Sequence, residues 1–384
     1  MNEPNVGTDD PWSVTQKHLR AGMRQLREVG RPAAVATVAA VDGSAYRRPG
    51  AKLLAPADGG NYGAVTAGCL EDAVLDIARE VIDTGRSRLE TFDLVEDDDD
   101  SWGLGLGCNG VIDLFVEPLD TGWDRPLAAL GDGDSVTLLT AVEADSVTVG
   151  SRTVVVDGRR ESIADRPELP AEVLDATEDA VEAIRGTGRT RLVETGGTRV
   201  LVDGLAPTPE LLLFGGQNDL PPVARLASQV GFSVHVHSGR GAVDESSVPA
   251  ADTVTTGHPT AVADHVAHDE HTSAVVMSHN LLDDRLAVEA LLRETAVPYV
   301  GLMGPRERFE ELRESLAADG VTLTEAELDR VSTPVGLDLG GGEPVEIAFS
   351  VVSEVLAVSN GRAGGRLRDR KGPIHPRADG SGPE

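Results

Sequence analysis

Two cysteines, Cys69 and Cys108, are the only thiols in a chain of 384 residues, and each directly follows a glycine, Gly68 and Gly107. Thiolates bind soft metal centres and react at sulfur. Just ahead of the first lies Gly43-Ser44-Ala45-Tyr46-Arg47-Arg48-Pro49-Gly50-Ala51-Lys52, which gathers the cations Arg47, Arg48 and Lys52. Lys52 is one of only three lysines in the chain, with Lys17 and Lys371. Guanidinium and ammonium groups in a glycine-bounded loop suit a phosphate or another anion. A cationic loop beside a thiol is thus a candidate site for an anionic ligand with a sulfur-seeking centre. A tight turn followed by a small buried cysteine is the competing reading of the same residues.

The flanking patterns set these groups at junctions. Leu70, Val74, Ile77 and Val81 recur at helical spacing and Thr84-Gly85 ends the run, so Cys69 falls at or next to a helix N-cap. Amides there favour a thiolate, while Glu71 and Asp72 oppose a second negative charge, and sequence leaves the sign open. Gly103, Gly105 and Gly107 alternate ahead of Cys108, leaving backbone amides open to a ligand, and a strand follows over 111–116. If the two junctions face each other they form one pocket with two thiols; otherwise they are separate glycine turns. Upstream, the spacing predicts a helix over 12–29, a strand over 33–41 and short strands over 52–55 and 62–66. The acidic run 97–100 reads as a solvated loop. Residues 124–205 alternate short β-like runs with turns and hold a helix near 175–184. They carry no evident chemistry. Asp203 to Pro209 reads as a linker.

Beyond it the pattern alternates β and α. Strands are expected over 210–214, 232–237, 252–255, 273–278 and 299–303. Helices are expected after 220 and over 283–295, 306–317 and 344–358. Such alternation builds a doubly wound parallel sheet. The fold class is therefore α/β: a mixed α+β N-terminal domain (1–205), a doubly wound domain (206–362) and a disordered tail (363–384). The turn after the first of these strands has Gly215 and Gly216, but Leu220 stands where a dinucleotide fingerprint needs its third glycine. Ser238 stands where an acid would hold a ribose hydroxyl. His279 falls at the C-terminal end of a strand, where such sheets place ligands. His235, His237, His265, His268 and His271 do not complete a zinc site and read as solvated surface histidines.

With 64 acidic against 34 basic residues the formal net charge is −30. That excludes a general nucleic-acid binder, which needs a basic stripe. High negative charge with scarce lysine fits a cytoplasm rich in salt, where screening tolerates self-repulsion. No apolar run reaches the length of a membrane span, and residues 1–10 lack the apolar core of a signal peptide. The reading is a cytoplasmic protein with two free thiols.

Taken together, the motifs resemble the XdhC/CoxI family of accessory proteins for molybdenum hydroxylases. The segments are GSAYRRPGAKLL (43–54), GAVTAGCLEDAV (63–74), GLGLGCNGVIDLFVEPL (103–119), LLLFGGQNDLPPVARLASQVGF (211–232), AVVMSHNLLDDRLAVEALL (274–292), YVGLMGPRERFEELRESL (299–316) and PVGLDLGGGEPVEIAFSVVSEVLA (334–357). The resemblance implies a domain carrying the two glycine-flanked cysteines joined to a Rossmann-like domain. It implies binding of the molybdenum cofactor, protection during sulfuration, and delivery to an apo molybdenum hydroxylase of the xanthine or carbon monoxide dehydrogenase type. A cysteine desulfurase is an implied second partner. Such a protein is a chaperone for the cofactor rather than a catalyst. Arg47, Arg48 and Lys52 suit the cofactor's phosphate, and Cys69 and Cys108 its metal and sulfur. Gly68, Gly107, Gly215, Gly216 and His279 complete the expected site. Departures fall in the second domain: Gly215-Gly216-Gln217-Asn218-Asp219-Leu220 stands for G-A-G-H-V-A, Ser238 for an Asp, and Ser278-His279-Asn280 for T-H-D. The competing function is an NAD(P)- or nucleotide-dependent enzyme using that domain. A homodimer is the base-rate expectation.

Overall fold

Thr15 caps the first helix, α1 (Gln16–Glu28), and its apolar spacing turns Leu19, Met23 and Leu26 into the interior. The computed structural model describes residues 10–94, 110–163, 165–239 and 243–370. These fall into two units, the first ending at Pro207 and the second beginning at Thr208.

After α1 the first unit forms β1 (Ala33–Gly43), β2 (Lys52–Pro56), β3 (Tyr62–Gly63), α2 (Glu71–Thr84), β4 (Arg88–Asp93) and β5 (Gly110–Pro118). The strands make an antiparallel sheet in the order β3-β2-β1-β5-β4. Helix α3 (Asp124–Gly131) leads to β6 (Val136–Ala144), β7 (Arg152–Val156), β8 (Arg159–Ser162), α4 (Ala171–Ala176), α5 (Glu178–Ile184), β9 (Thr190–Thr195) and β10 (Thr198–Leu205). The second sheet runs β8-β7-β6-β10-β9, the same order again.

The two sheets are repeats of one motif. Thr37 pairs with Lys52 and Ala33 with Pro56; Thr140 pairs with Arg152 and Val136 with Val156. Val35 lies opposite Glu117, and Leu138 opposite Asp203. The register slips between Val38 and Ala40 in β1, and at the equivalent place in β6, where Ala141 and Glu143 face Val200 and Arg199. Gly50 and Gly150 both sit at φ 92° and donate to equivalent carbonyls, those of Val38 and Ala141. Equivalent side chains also meet: Ala39 and Phe115 pack with Val142 and Leu201 in one small core. A larger core spans both sheets, with α1 and Trp123.

In the second unit β11 (Glu210–Phe214), β12 (Ser233–Ser238), β13 (Thr253–Thr256), β14 (Thr272–Val276), β15 (Tyr299–Leu302) and β16 (Val331–Ser332) form a parallel sheet in the order β13-β12-β11-β14-β15-β16. This is the doubly wound order, with its switch point between β11 and β14. Helices α6 (Leu220–Gln229) and α10 (Pro344–Ser359) pack on one core; α7 (Leu281–Glu294) and α8 (Arg306–Ala318) pack on the other, and α9 (Glu325–Leu328) is a short turn. No described helix is long and apolar enough to cross a membrane.

Some expectations move. The predicted linker begins too early, because Asp203 to Leu205 belong to β10 and are buried. Residues 146–149, one of the short β-like runs expected within 124–205, form a bend and turn instead, and the strand expected over 62–66 is only two residues long. Of the predicted tail, 363–370 is described and includes a 3₁₀ turn at Leu367–Asp369; 371–384 lies outside the described residues.

Candidate functional site

Cys69 sits one residue before Leu70, the N-cap of α2, and is half-buried and free. Leu70 has no capping side chain, so Glu71 folds back instead. Its carboxylate accepts from the Thr66 amide at 3.0 Å and the Leu70 amide at 3.2 Å, and it is buried. The turn carrying the thiol is thereby fixed from both sides. Gly68 stands at φ 110°, a conformation that a side chain would strain. Cys69 and Ala45 pack against the same core cluster, which brings the cationic loop and the thiol turn to one part of the first unit.

In that loop Arg47 is half-buried, and its Nε is buried without a hydrogen-bond partner among the described residues. Arg48 is exposed. A buried guanidinium N–H left unmatched is uncommon and calls for an acceptor. An anion supplies one, so the loop fits the phosphate of the implied cofactor. The repeat sharpens the point. Between Ala40 and Gly50 lie residues 41–49, whereas between the equivalent Glu143 and Gly150 lie only residues 144–149. The insertion that holds Arg47 and Arg48 belongs to the first repeat alone.

Lys52 requires a correction. It lies on β2 rather than in the loop, is 3 % exposed, and its Nζ donates to Asp203 Oδ2 at 2.6 Å. Its charge is neutralised inside the protein, so it is not a cation held open for an anion. The counterpart Arg152 is equally buried and donates to Glu117 Oε1 at 2.6 Å. Asp203 and Glu117 are themselves equivalent positions, so each repeat supplies the acid for the other's base. Arg20 lies close by, and burial, with Arg24 beside it, pushes its guanidinium down to about 10 against the pull of Asp203. The matching segments Gly50-Ala51-Lys52 and Gly150-Ser151-Arg152, each followed by an apolar strand and an Asp-Gly turn, are the sequence signal that could have exposed this arrangement.

Gly107 and Cys108 lie outside the described residues. The first described residue after them, Gly110, is wedged against the loop base: a Cβ there would sit 2.6 Å from the Asp42 carbonyl oxygen and 2.8 Å from that of Ser44. Among the described residues no group of three or more His, Cys, Asp or Glu could hold a metal ion.

In the second unit Gly215 and Gly216 are explained by packing. A Cβ on Gly215 would meet the Met277 carbonyl oxygen at 2.7 Å, and one on Gly216 the Ser238 Oγ at 2.8 Å. The crevice does not fit a dinucleotide. A pyrophosphate needs free amides at the start of the helix after β11. Here Pro221 and Pro222 occupy the second and third positions of α6 and have no N–H. The N-cap is Asp219, a carboxylate where the phosphates would lie. Leu220 is core and Ser238 is buried. Asp219 Oδ2 lies 2.7 Å from His279 Nε2, and His279 adopts a left-handed φ of 58°. This contact ties the loop after β11 to the loop after β14.

One of the two histidines on β12 also differs from expectation. His237 is buried, not solvated. Its Nδ1 lies 2.9 Å from Thr255 Oγ1, its Nε2 contacts the His258 carbonyl at 3.1 Å, and its ring centroid is 4.7 Å from that of His265. Burial pushes its pKa down.

A family model described as the XdhC and CoxI family matches residues 26–93, and one described as the XdhC Rossmann domain matches residues 211–355. A probable xanthine dehydrogenase subunit of Bacillus subtilis (strain 168) is 29 % identical over 336 residues, which are 86 % of this chain and 94 % of that protein. The crystal structure of a xanthine dehydrogenase from Bacillus halodurans superposes with a TM-score of 0.70 at 25 % identity, covering 91 % of this chain and 97 % of that one.

Proposed function

The chain belongs to the XdhC/CoxI family, and on that footing we propose that it serves the maturation of a xanthine dehydrogenase-type molybdoenzyme by carrying the molybdenum cofactor. The first unit binds the cofactor, shields it while a sulfur ligand is installed, and releases it to the apo-enzyme; a cysteine desulfurase supplies the sulfur. Arg47 and Arg48 hold the phosphate, and Cys69, with Cys108, meets the metal end. The cofactor supplies the redox chemistry of the mature enzyme; the residues here bind it, orient it and keep water and oxidants away. The observation that carries this reading is the Arg47 Nε, unmatched among the described residues, in a loop that only the cysteine-bearing repeat possesses. NAD(P) is not part of the proposal, because the prolines and the acid at the start of α6 oppose it.

The test is transfer. Cofactor released anaerobically from a purified molybdenum hydroxylase is incubated with this protein in high salt, then with an apo xanthine dehydrogenase. Faster recovery of activity than with free cofactor supports the reading. Equal recovery with and without the protein contradicts it.

A further inference from the structure

The chain has few aromatic residues: three Trp, three Tyr and six Phe. Among the described residues of the first unit, Trp12 and Tyr46 are the exposed ones, at 49 % and 65 %. Neither position is random. Tyr46 immediately precedes Arg47 in the loop described above. Trp12 lies far from it in sequence, in a 3₁₀ turn (Pro11–Ser13) that packs against β3. Asp10 fixes that turn by accepting from the Trp12 amide at 3.0 Å and from the Ser13 hydroxyl at 2.8 Å. The indole lies beside the residue preceding the thiol: a Cβ on Gly68 would meet Trp12 Cζ2 at 3.7 Å. The indole is thus left half in water beside the thiol turn, with a face free to be covered. Trp123 shows the alternative in the same unit, buried at 2 % exposure with Arg152 over its ring at 5.1 Å.

We propose that Trp12 is the stacking wall of the Cys69 site, the surface on which the pterin ring of the proposed cofactor lies. The ring lies on the indole while Arg47 takes the anion and Cys69 faces the soft centre. An aromatic face binds any planar heterocycle with little demand on hydrogen-bond pattern. This deepens the proposed function and rests on it. Trp12 is a binding residue: it touches the ligand and moves no proton.

The full chain is titrated anaerobically with released molybdenum cofactor, and binding is read both by retained pterin and by tryptophan emission. Trp12→Ala is expected to bind on the order of tenfold more weakly, a typical loss for one aromatic stack. Trp12→Phe keeps a ring and should bind within about threefold of the parent, yet lose the share of ligand-dependent quenching that Trp12 contributes. Melting temperature is followed in each variant, so a folding defect is separated from a binding defect. Equal affinity of Trp12→Ala and the parent overturns the stacking role and leaves the proposed function intact. So does weak binding by both variants, because the ring then fails to rescue. If the parent itself retains no cofactor, the proposed function fails and this inference with it.

Discussion

Lys52 Nζ lies 2.6 Å from Asp203 Oδ2 with the two side chains 3 % and 5 % exposed, and the strand register makes this pair the counterpart of Arg152 and Glu117. Two repeats of one motif are thus cross-linked by exchanged charges, and a third pair, Arg199 with Asp113 at 2.6 Å, joins equivalent positions. Removing one partner of a buried pair strands the other charge. Lys52→Met or Asp203→Leu should each cost about 3–5 kcal/mol, and the double variant should recover much of it. Denaturant unfolding at constant high salt measures this. Folded Lys52→Met should still bind the cofactor as the parent does; loss of binding at full folding would return Lys52 to the site.

Arg47 should matter most among the loop cations. Its Nε is buried without a partner among the described residues, whereas Arg48 is exposed. Arg47→Ala should weaken cofactor binding by about tenfold or more, in line with about 1.5–3 kcal/mol for a charge-assisted hydrogen bond. Arg48→Ala should have a smaller effect that fades as salt rises. Titrations at two salt concentrations check both, and an equal, salt-independent loss for the two variants would contradict the assignment.

His237 makes the second unit sensitive to acid. Its folded-state pKa is lowered, chiefly by burial and then by His265; the His258 carbonyl and Asp264 pull the other way. The unfolded histidine, near its ordinary value of about 6.5, therefore takes up protons before the folded one does. Stability is unaffected by this group above that pH and declines as pH falls through it toward the lower folded value. His237→Gln should flatten that slope. Melting temperatures from neutral to mildly acid pH test it, and an unchanged slope would show that other groups dominate.

Dinucleotides should leave the protein unmoved. A ligand at one hundred times its dissociation constant stabilises by about 2.7 kcal/mol, which a melting experiment resolves easily. Millimolar NAD⁺, NADP⁺ or their reduced forms should produce no saturable shift. A saturable shift would mean that Pro221, Pro222 and Asp219 do not close the crevice.

The second unit was legible almost strand by strand, because buried parallel strands are short apolar runs separated by amphipathic helices. The run 210–214 coincides with β11. The missed elements there, β16 and α9, are two and four residues long and leave no periodic trace. In the first unit β4 and β8 were hidden: β4 has only Leu89 and Phe92 as apolar residues, and β8 (Arg159–Ser162) has none. The duplication was hidden for a different reason. It is written mainly in register and in exchanged ion pairs, where Lys52 answers Arg152 and Asp203 answers Glu117; in residue identity only the glycine two places before each base and the Asp-Gly turn after each strand repeat. Long-range pairing of that kind has no local signature, so a buried lysine beside two arginines read as part of one cationic loop. The thiol turn was placed correctly at the start of α2, but its rigidity comes from Glu71 reaching back to Thr66, a contact that sequence spacing alone does not specify.

Molybdenum and pterin, assayed together on the protein purified in high salt from a molybdate-fed host that makes the cofactor, bear most directly on the carrier role. The account predicts the two in near-equal amounts, both lost in Cys69→Ala combined with Arg47→Ala while the fold persists. Absence of both from the folded parent protein, with no apo-hydroxylase present to drain it, would contradict the account.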